Sequence, residues 1–197
     1  MAVLSRTFYS RPALEVARDL LGCRLVRLQK GQRLAGLITE TEAYQGEDDL
    51  GCHASAGYTP RTSVMYGPPG HAYIYFTYGI HWLFNVVASP KDVPAAVLIR
   101  SILPLEGDAQ MSINRPYHAQ LPDWTNGPAK LTQALAIDGQ LNTADLCSQK
   151  SVLWIESGRP IEDEAIELTA RIGLNSVPEP WRSIPWRFVV NRGALHG

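Results

Sequence analysis

The sequence predicts an α+β fold with a mixed, largely antiparallel sheet, and three observations carry the expectation. The segment AYIYFTYG–IHWLFNVVA, residues 72–88, places β-branched and aromatic residues on both sides of Gly79, as expected for two antiparallel strands meeting near Tyr78. Other strand-like runs cluster around it in the middle of the chain and do not alternate regularly with helices. The two helical patterns are short and flank that cluster.

In chain order, the first element is a short amphipathic helix. Pro12 sits at a first-turn position, Leu14, Ala17, Leu20 and Leu21 supply the apolar side, and Gly22 stops it. Cys23 to Leu28 and Leu34 to Thr41 read as strands separated by the polar turn QKGQ. A loop rich in glycine and acids follows from Gln45 to Gly57, and then the hairpin. Val97 to Ile102 is a further strand, ended by Pro104. In NGPAKLTQALAI, Pro128 lies early in a helix that Asn126 caps, with Leu131 and Leu135 on one side and Gly139 beyond its end. SVLWIES and PWRFVV close the chain as late strands.

At 197 residues the chain suits one domain, 1–197, with a real core. A hydrophobic content of 45% against 19% charged residues is globular, which excludes disorder as the default. No apolar run reaches the length of a bilayer span, and the opening MAVLSRTFYS lacks the apolar core of a secretory signal. Three cysteines, Cys23, Cys52 and Cys147, lie far apart and outside any CxxC pattern, so neither a disulfide framework nor a zinc site is expected. A cytoplasmic location and no membrane association follow as expectations.

The net charge of −1 argues mildly against a generic nucleic-acid binder. Its distribution softens the objection. Residues 1–36 carry seven basic side chains against Glu15 and Asp19, and 171–197 carry four against Glu179. Residues 138–167 carry seven acids against Lys150 and Arg159. Such blocks fit a molecule with one basic face and an acidic back, and equally an ordinary mixed surface.

Two segments carry chemistry. In ITETEAYQGEDD, strand alternation projects Glu40, Glu42 and Tyr44 from one face. A carboxylate beside an aromatic ring at the mouth of a loop suits acid–base work on a stacked ligand, although a solvated strand edge has the same pattern. Tyr73 and Tyr75 share a strand face, Tyr78 lies at the hairpin tip, and Tyr44 and Tyr66 add further rings. Such rings can hold a nucleobase, and one at a hairpin tip can enter a duplex. Tyrosines packed within a sheet explain the same composition.

The strings ITETEAYQGEDD, HASAGYTPRTSVMYGPPGHAYIYFTYGIHWLFNVV, VLIRSILPLEG and NGPAKLTQALAI, with the closing PWRFVVNRG, together resemble the alkyladenine (3-methyladenine) DNA glycosylase family, in that family's order. The resemblance implies a single α+β domain with a curved antiparallel sheet, flanking helices and a β-hairpin that enters the minor groove. It implies that Glu42 activates the attacking water and that Arg100 contacts the DNA backbone and positions the water or sugar. It places Tyr44 and Tyr75 on either face of a flipped base, His53 in the pocket wall, Asn85 against the amino group of normal guanine, and Tyr78 as the ring wedged into the vacated duplex. No metal or cofactor is implied. The partner is double-stranded DNA containing damaged purines, and the protein is expected to be a monomer. None of Lys30, Lys91, Lys130 and Lys150 falls in the matched catalytic strings, so no Schiff-base chemistry is expected. His71, His81, His118 and His196 are expected to be structural or surface residues. Two other readings stay open: a damaged-DNA-binding protein with the same pocket and weak catalysis, and a carbohydrate hydrolase using Glu40 and Glu42 as a carboxylate pair.

Overall fold

The computed structural model describes residues 1–116, 123–191 and 193. The expected α+β architecture is present as a curled, half-barrel antiparallel sheet with four helices. Its strands are β1 (Arg24–Gln29), β2 (Gln32–Gln45), β3 (Ala72–Thr77), β4 (His81–Ala88), β5 (Ala95–Glu106), β6 (Leu153–Glu156), β7 (Ile166–Thr169) and β8 (Arg187–Val190). The helices are α1 (Arg6–Tyr9), α2 (Ala13–Asp19), α3 (Asp108–Asn114) and α4 (Pro128–Ala134). The main path runs β3-β4-β5-β2-β1-β6, and β8 joins β2 and pairs in turn with β7.

The 14-residue β2 organises the sheet. It pairs along most of its length with β5, while its other partners divide it between them: β1 meets Gln32 to Leu37 and β8 meets Glu40 to Glu42. Register shifts at Ala35/Gly36 and on both sides of Glu40 add local twist where these partners change over. Strong alternation sorts the neighbouring side chains. Ile74, Phe84, Val86, Val97 and Ile99 point into the main core under α2 and α4. Tyr73, Tyr75, Asn85, Val87, Ala96 and Leu98 are the alternate residues, and they line or support a cavity on the other face. Both faces are therefore covered, which explains the long buried runs in β2 and β5.

Several sequence expectations change in detail. The strand foreseen over Leu34 to Thr41 extends to Gln45, and β5 passes through Pro104 to Glu106. Proline is tolerated there because β4 covers only Ala95 to Leu98, so this part of β5 lies beyond the reach of that neighbour and faces β2 at an irregular register. Asn126 does not cap α4. Its backbone bridges to Ser101, Gly127 donates to the Arg100 carbonyl at 2.9 Å, and Gly127 occupies the N-cap without a side-chain bond. That helix stops at Ala134, before Gly139. Gly22 behaves as expected, taking φ +80 to turn the chain out of the first helical region, and a Cβ there would stand 2.1 Å from the Arg159 carbonyl oxygen. The cysteines are free. Among the described residues, no helix is long and apolar enough to cross a membrane.

Candidate active site

The sheet register assembles the site. Tyr73 on β3 faces Asn85 on β4, Asn85 faces Leu98 on β5, Leu98 faces Glu42 on β2, and Glu42 faces Arg187 on β8. One row of cross-strand neighbours thus crosses five strands and carries polar groups from four of them on one surface, and the curl of the sheet folds that surface around a cavity of about 350 Å³. A volume of this size lies at the lower end for small-molecule pockets and suits a compact planar ligand. Tyr44, His53, Tyr75, Tyr78, Asn85 and Arg100 all line it.

Glu42 does not itself line the cavity, but it is one hydrogen bond behind residues that do. Its Oε2 accepts from Arg100 Nη1 at 3.2 Å and from the Tyr44 hydroxyl at 2.8 Å. Its Oε1 accepts from the backbone N–H of Ile172 at 2.7 Å. Glu42 is fully buried. A carboxylate offers about four acceptor positions, so these three donors leave about one, on Oε1. Arg100 also donates through Nε to Glu40 Oε1 at 2.7 Å, and Arg187 Nε donates to the same oxygen at 2.7 Å. Two carboxylates and two guanidinium groups therefore balance one another in a nearly dry cluster. Burial opposes the charge of Arg100, but Glu42 and Glu40 outweigh it and hold the guanidinium more firmly protonated than usual. Burial and the adjacent Glu42 carboxylate push the Tyr44 phenol well above its ordinary range, so it remains a donor.

The opposite wall is aromatic. The His53 ring meets Tyr75 edge-on at 4.6 Å between centroids, and its Nδ1 lies 2.9 Å from the Tyr73 hydroxyl. Burial, reinforced by the charge of Arg61, lowers the imidazole to about 4. The Arg61 guanidinium lies 5.0 Å from the Tyr75 ring centroid. Asn85 is buried and donates through Nδ2 to the Tyr73 carbonyl at 3.0 Å, which fixes its side chain against the floor. At the mouth, Tyr78 occupies the β3–β4 turn at φ 53 beside Gly79 at φ +68, and its ring is 85% exposed. Phe76 and Ile80 extend this exposed apolar tip.

The seven site residues foreseen from sequence therefore gather at one place, six on the cavity wall and Glu42 directly behind it. Tyr66 is not among the lining residues. It packs against Tyr58 at 5.1 Å and bonds to Glu47. His81, foreseen as structural or surface, instead lines the mouth, and its Nδ1 is buried without a partner among the described residues. His118 and His196 lie outside the described residues. Glu40, bound by two arginines, has the supporting role its position allows. Sequence reading missed the segment from Arg171 to Leu174, which supplies the Ile172 donor and part of the wall. It falls in an irregular stretch without periodicity, and Arg171 was counted there as a surface charge.

Of the two readings left open for the charge blocks, the ordinary mixed surface fits the ion pairing better. The basic N-terminal segment pairs with the acidic one: Arg6 with Asp145 at 2.7 Å, Arg33 with Glu156 at 2.8 Å, and Arg18 with Asp163. Arg171 and Arg187 are spent internally on Asp49 and Glu40. The charge blocks in the sequence attract each other in the fold.

Comparison with known proteins agrees with this geometry. A family model described as methylpurine-DNA glycosylase matches residues 7–194. A protein of Carboxydothermus hydrogenoformans is 47% identical over 186 residues, covering 94% of each chain. One from Methanocella arvoryzae is 47% identical over 188 residues, covering 95% of this chain and 92% of its own. One from Myxococcus xanthus is 44% identical over 189 residues, covering 95% and 89%. All three carry the provisional name 3-methyladenine DNA glycosylase.

Proposed function

We propose a specific chemistry for this chain, which belongs to the methylpurine-DNA glycosylase family and is accordingly a DNA-repair hydrolase of N-glycosyl bonds. It acts as a monomer on duplex DNA, flips an alkylated adenine or guanine or a hypoxanthine into the cavity, and hydrolyses the bond to the sugar, leaving an abasic site. The observation that carries this reading is the buried Glu42, placed directly behind the wall of an aromatic cavity and bonded to Arg100 on that wall.

Tyr44 and Tyr75 supply ring faces for the flipped purine, and stacking of this kind contributes roughly 1–3 kcal/mol per base. Flipping costs a few kcal/mol and less for a damaged base, so extrusion itself favours lesions. Tyr78 fills the gap from the hairpin tip. The remaining acceptor position on Glu42 Oε1 orients one water and takes its proton as the water attacks C1′ of the sugar. As the glycosidic bond lengthens, the sugar gains positive charge, which the carboxylate stabilises while Arg100 keeps it in place. The purine leaves with the bonding pair. His53 stays neutral near pH 7, so it serves as a fixed wall and hydrogen-bond partner and not as a cation facing alkylated purines. None of the four lysines lines the cavity, which supports hydrolysis without a covalent adduct.

The test uses labelled duplexes carrying one hypoxanthine or one methylated purine, with and without hot alkali. Strand breaks seen only after alkali, and no adduct trapped by borohydride, are the expected results. Breaks without alkali would contradict simple hydrolysis. Binding to lesion duplexes without base release would favour the damage-binding alternative, and cleavage of free glycosides would favour the carbohydrate one.

A further inference from the structure

A second buried ion pair sits beside the first, and its contacts reach two of the three groups that hold Glu42. Arg171 and Asp49 have fully buried side chains. The guanidinium engages both carboxylate oxygens, at 2.5 and 2.7 Å, and also donates to the Ala43 carbonyl at 3.1 Å and the Trp181 carbonyl at 3.2 Å. It lies 4.7 Å from the Tyr44 ring centroid and 5.1 Å from that of Trp186.

Each partner leads to the active site. Asp49 accepts from the N–H groups of Gln45 and Gly51, and so anchors the loop that carries Gly51, Cys52 and His53 into the cavity wall. That loop comes down closely on Arg171: a Cβ added at Gly51 would stand 2.8 Å from Arg171 Nη2 and 2.7 Å from Leu174 Cδ1. Ala43 and Tyr44 directly follow Glu42 on β2. Ile172 directly follows Arg171 and donates its N–H to Glu42 Oε1. Two of the three donors to Glu42, the Tyr44 hydroxyl and the Ile172 N–H, are thus held by contacts of this one side chain or by its own backbone.

We propose that Arg171 is the positioning residue that fixes Glu42 for hydrolysis, by locking the Tyr44 and Ile172 donors to the Asp49 loop. The proposal rests on the reading of Glu42 as the group that activates water. Arginine suits the task because its planar fork binds a carboxylate with two bonds while its faces stack on rings. Lysine, a point charge, does neither. Arg171 touches no reacting atom in this scheme. Its effect passes through the geometry and solvation of the Glu42 carboxylate.

The test compares wild type, Arg171→Lys, Asp49→Asn and Glu42→Gln on a hypoxanthine duplex, under single turnover over a range of enzyme concentrations. For Arg171→Lys the maximal rate falls about a hundredfold, the scale of loss from a misplacement of about 1 Å. The enzyme concentration at half-saturation changes little, because Arg171 touches neither the base nor the duplex in this scheme. Should Arg171→Lys fail to fold, Asp49→Asn carries the same test, with a smaller change in the same direction. A rate loss matched by weaker half-saturation would make Arg171 merely structural and overturn the proposal, as would wild-type kinetics. Wild-type excision by Glu42→Gln would instead overturn the reading beneath it.

Discussion

Glu42 is a carboxylate whose acceptor capacity is nearly filled by Arg100, Tyr44 and Ile172, and that saturation defines its function as much as its charge does. The same cluster carries a stability liability. Arg100→Ala would leave Glu40 and Glu42 buried with less compensating charge, and should lower unfolding free energy by about 3–5 kcal/mol, read as a shift in denaturant midpoint. An unchanged midpoint would show that water reaches the cluster freely. His53 offers a second check. Its imidazole titrates near 4 in the fold against 6.5 when free, so the unfolded chain takes up a proton between those values that the folded one does not. His53 thus contributes stability above pH 6.5 that is lost as pH falls towards 4, and NMR should place its midpoint near 4. A midpoint near 6.5 would contradict the buried, Arg61-facing setting. On the proposed reading Asn85, held by its bond to the Tyr73 carbonyl, is the residue that would exclude the amino group of guanine. Asn85→Ala should raise release of undamaged guanine relative to hypoxanthine by about tenfold, and an unchanged ratio would remove it from the specificity argument.

At the scale of elements, the hairpin is the part that the proposed function sets against the duplex. Its tip exposes Phe76, Tyr78 and Ile80 while its base sits in the sheet, and the Tyr78–Gly79 turn takes the positive φ angles that bring the strands back in register. Tyr78→Ala should leave melting unchanged, because the ring packs on little, yet slow excision about tenfold through loss of one stacking contact. Equal rates would mean that the ring does not enter the duplex. This hairpin was legible in the sequence because aromatic and β-branched runs on either side of a glycine admit few other folds. The same holds for the Glu40–Glu42–Tyr44 face, since period-two alternation survived the bulges flanking Glu40. Short elements were not legible. β7 has only four residues with two exposed, and α1 has four, so neither presents enough periodicity to be seen. Asn126 misled because a capping side chain is a local preference, and the backbone bridge to Ser101 is a tertiary contact that overrides it.

At the scale of the whole molecule, long-range pairing joins the chain's ends to its middle. β8 closes on β2, and Val3 bridges to Glu156. We therefore expect one cooperative unfolding transition for residues 1–197, and two resolved transitions would contradict a single domain. The strings singled out in the sequence come together at one cavity, but the sequence could not show the Asp49–Arg171 pair, because the two are 122 residues apart and neither lies in a periodic pattern. For the same reason it left the charge blocks open between two readings. Basic and acidic segments far apart in the chain become ion-pair partners across the fold. With so many arginines already paired, binding to lesion duplex should depend only moderately on salt, with a log–log slope of about −2 to −4. A slope near −8 would mean that these pairs open to receive phosphate. The central claim is that Glu42 drives hydrolysis of a base held in the cavity, and its most direct test is the single-turnover release of hypoxanthine by wild type and by Glu42→Gln at matched occupancy of the lesion duplex. The account predicts a loss of about 10²–10⁴ in rate at unchanged occupancy. Comparable rates for the two proteins would contradict it.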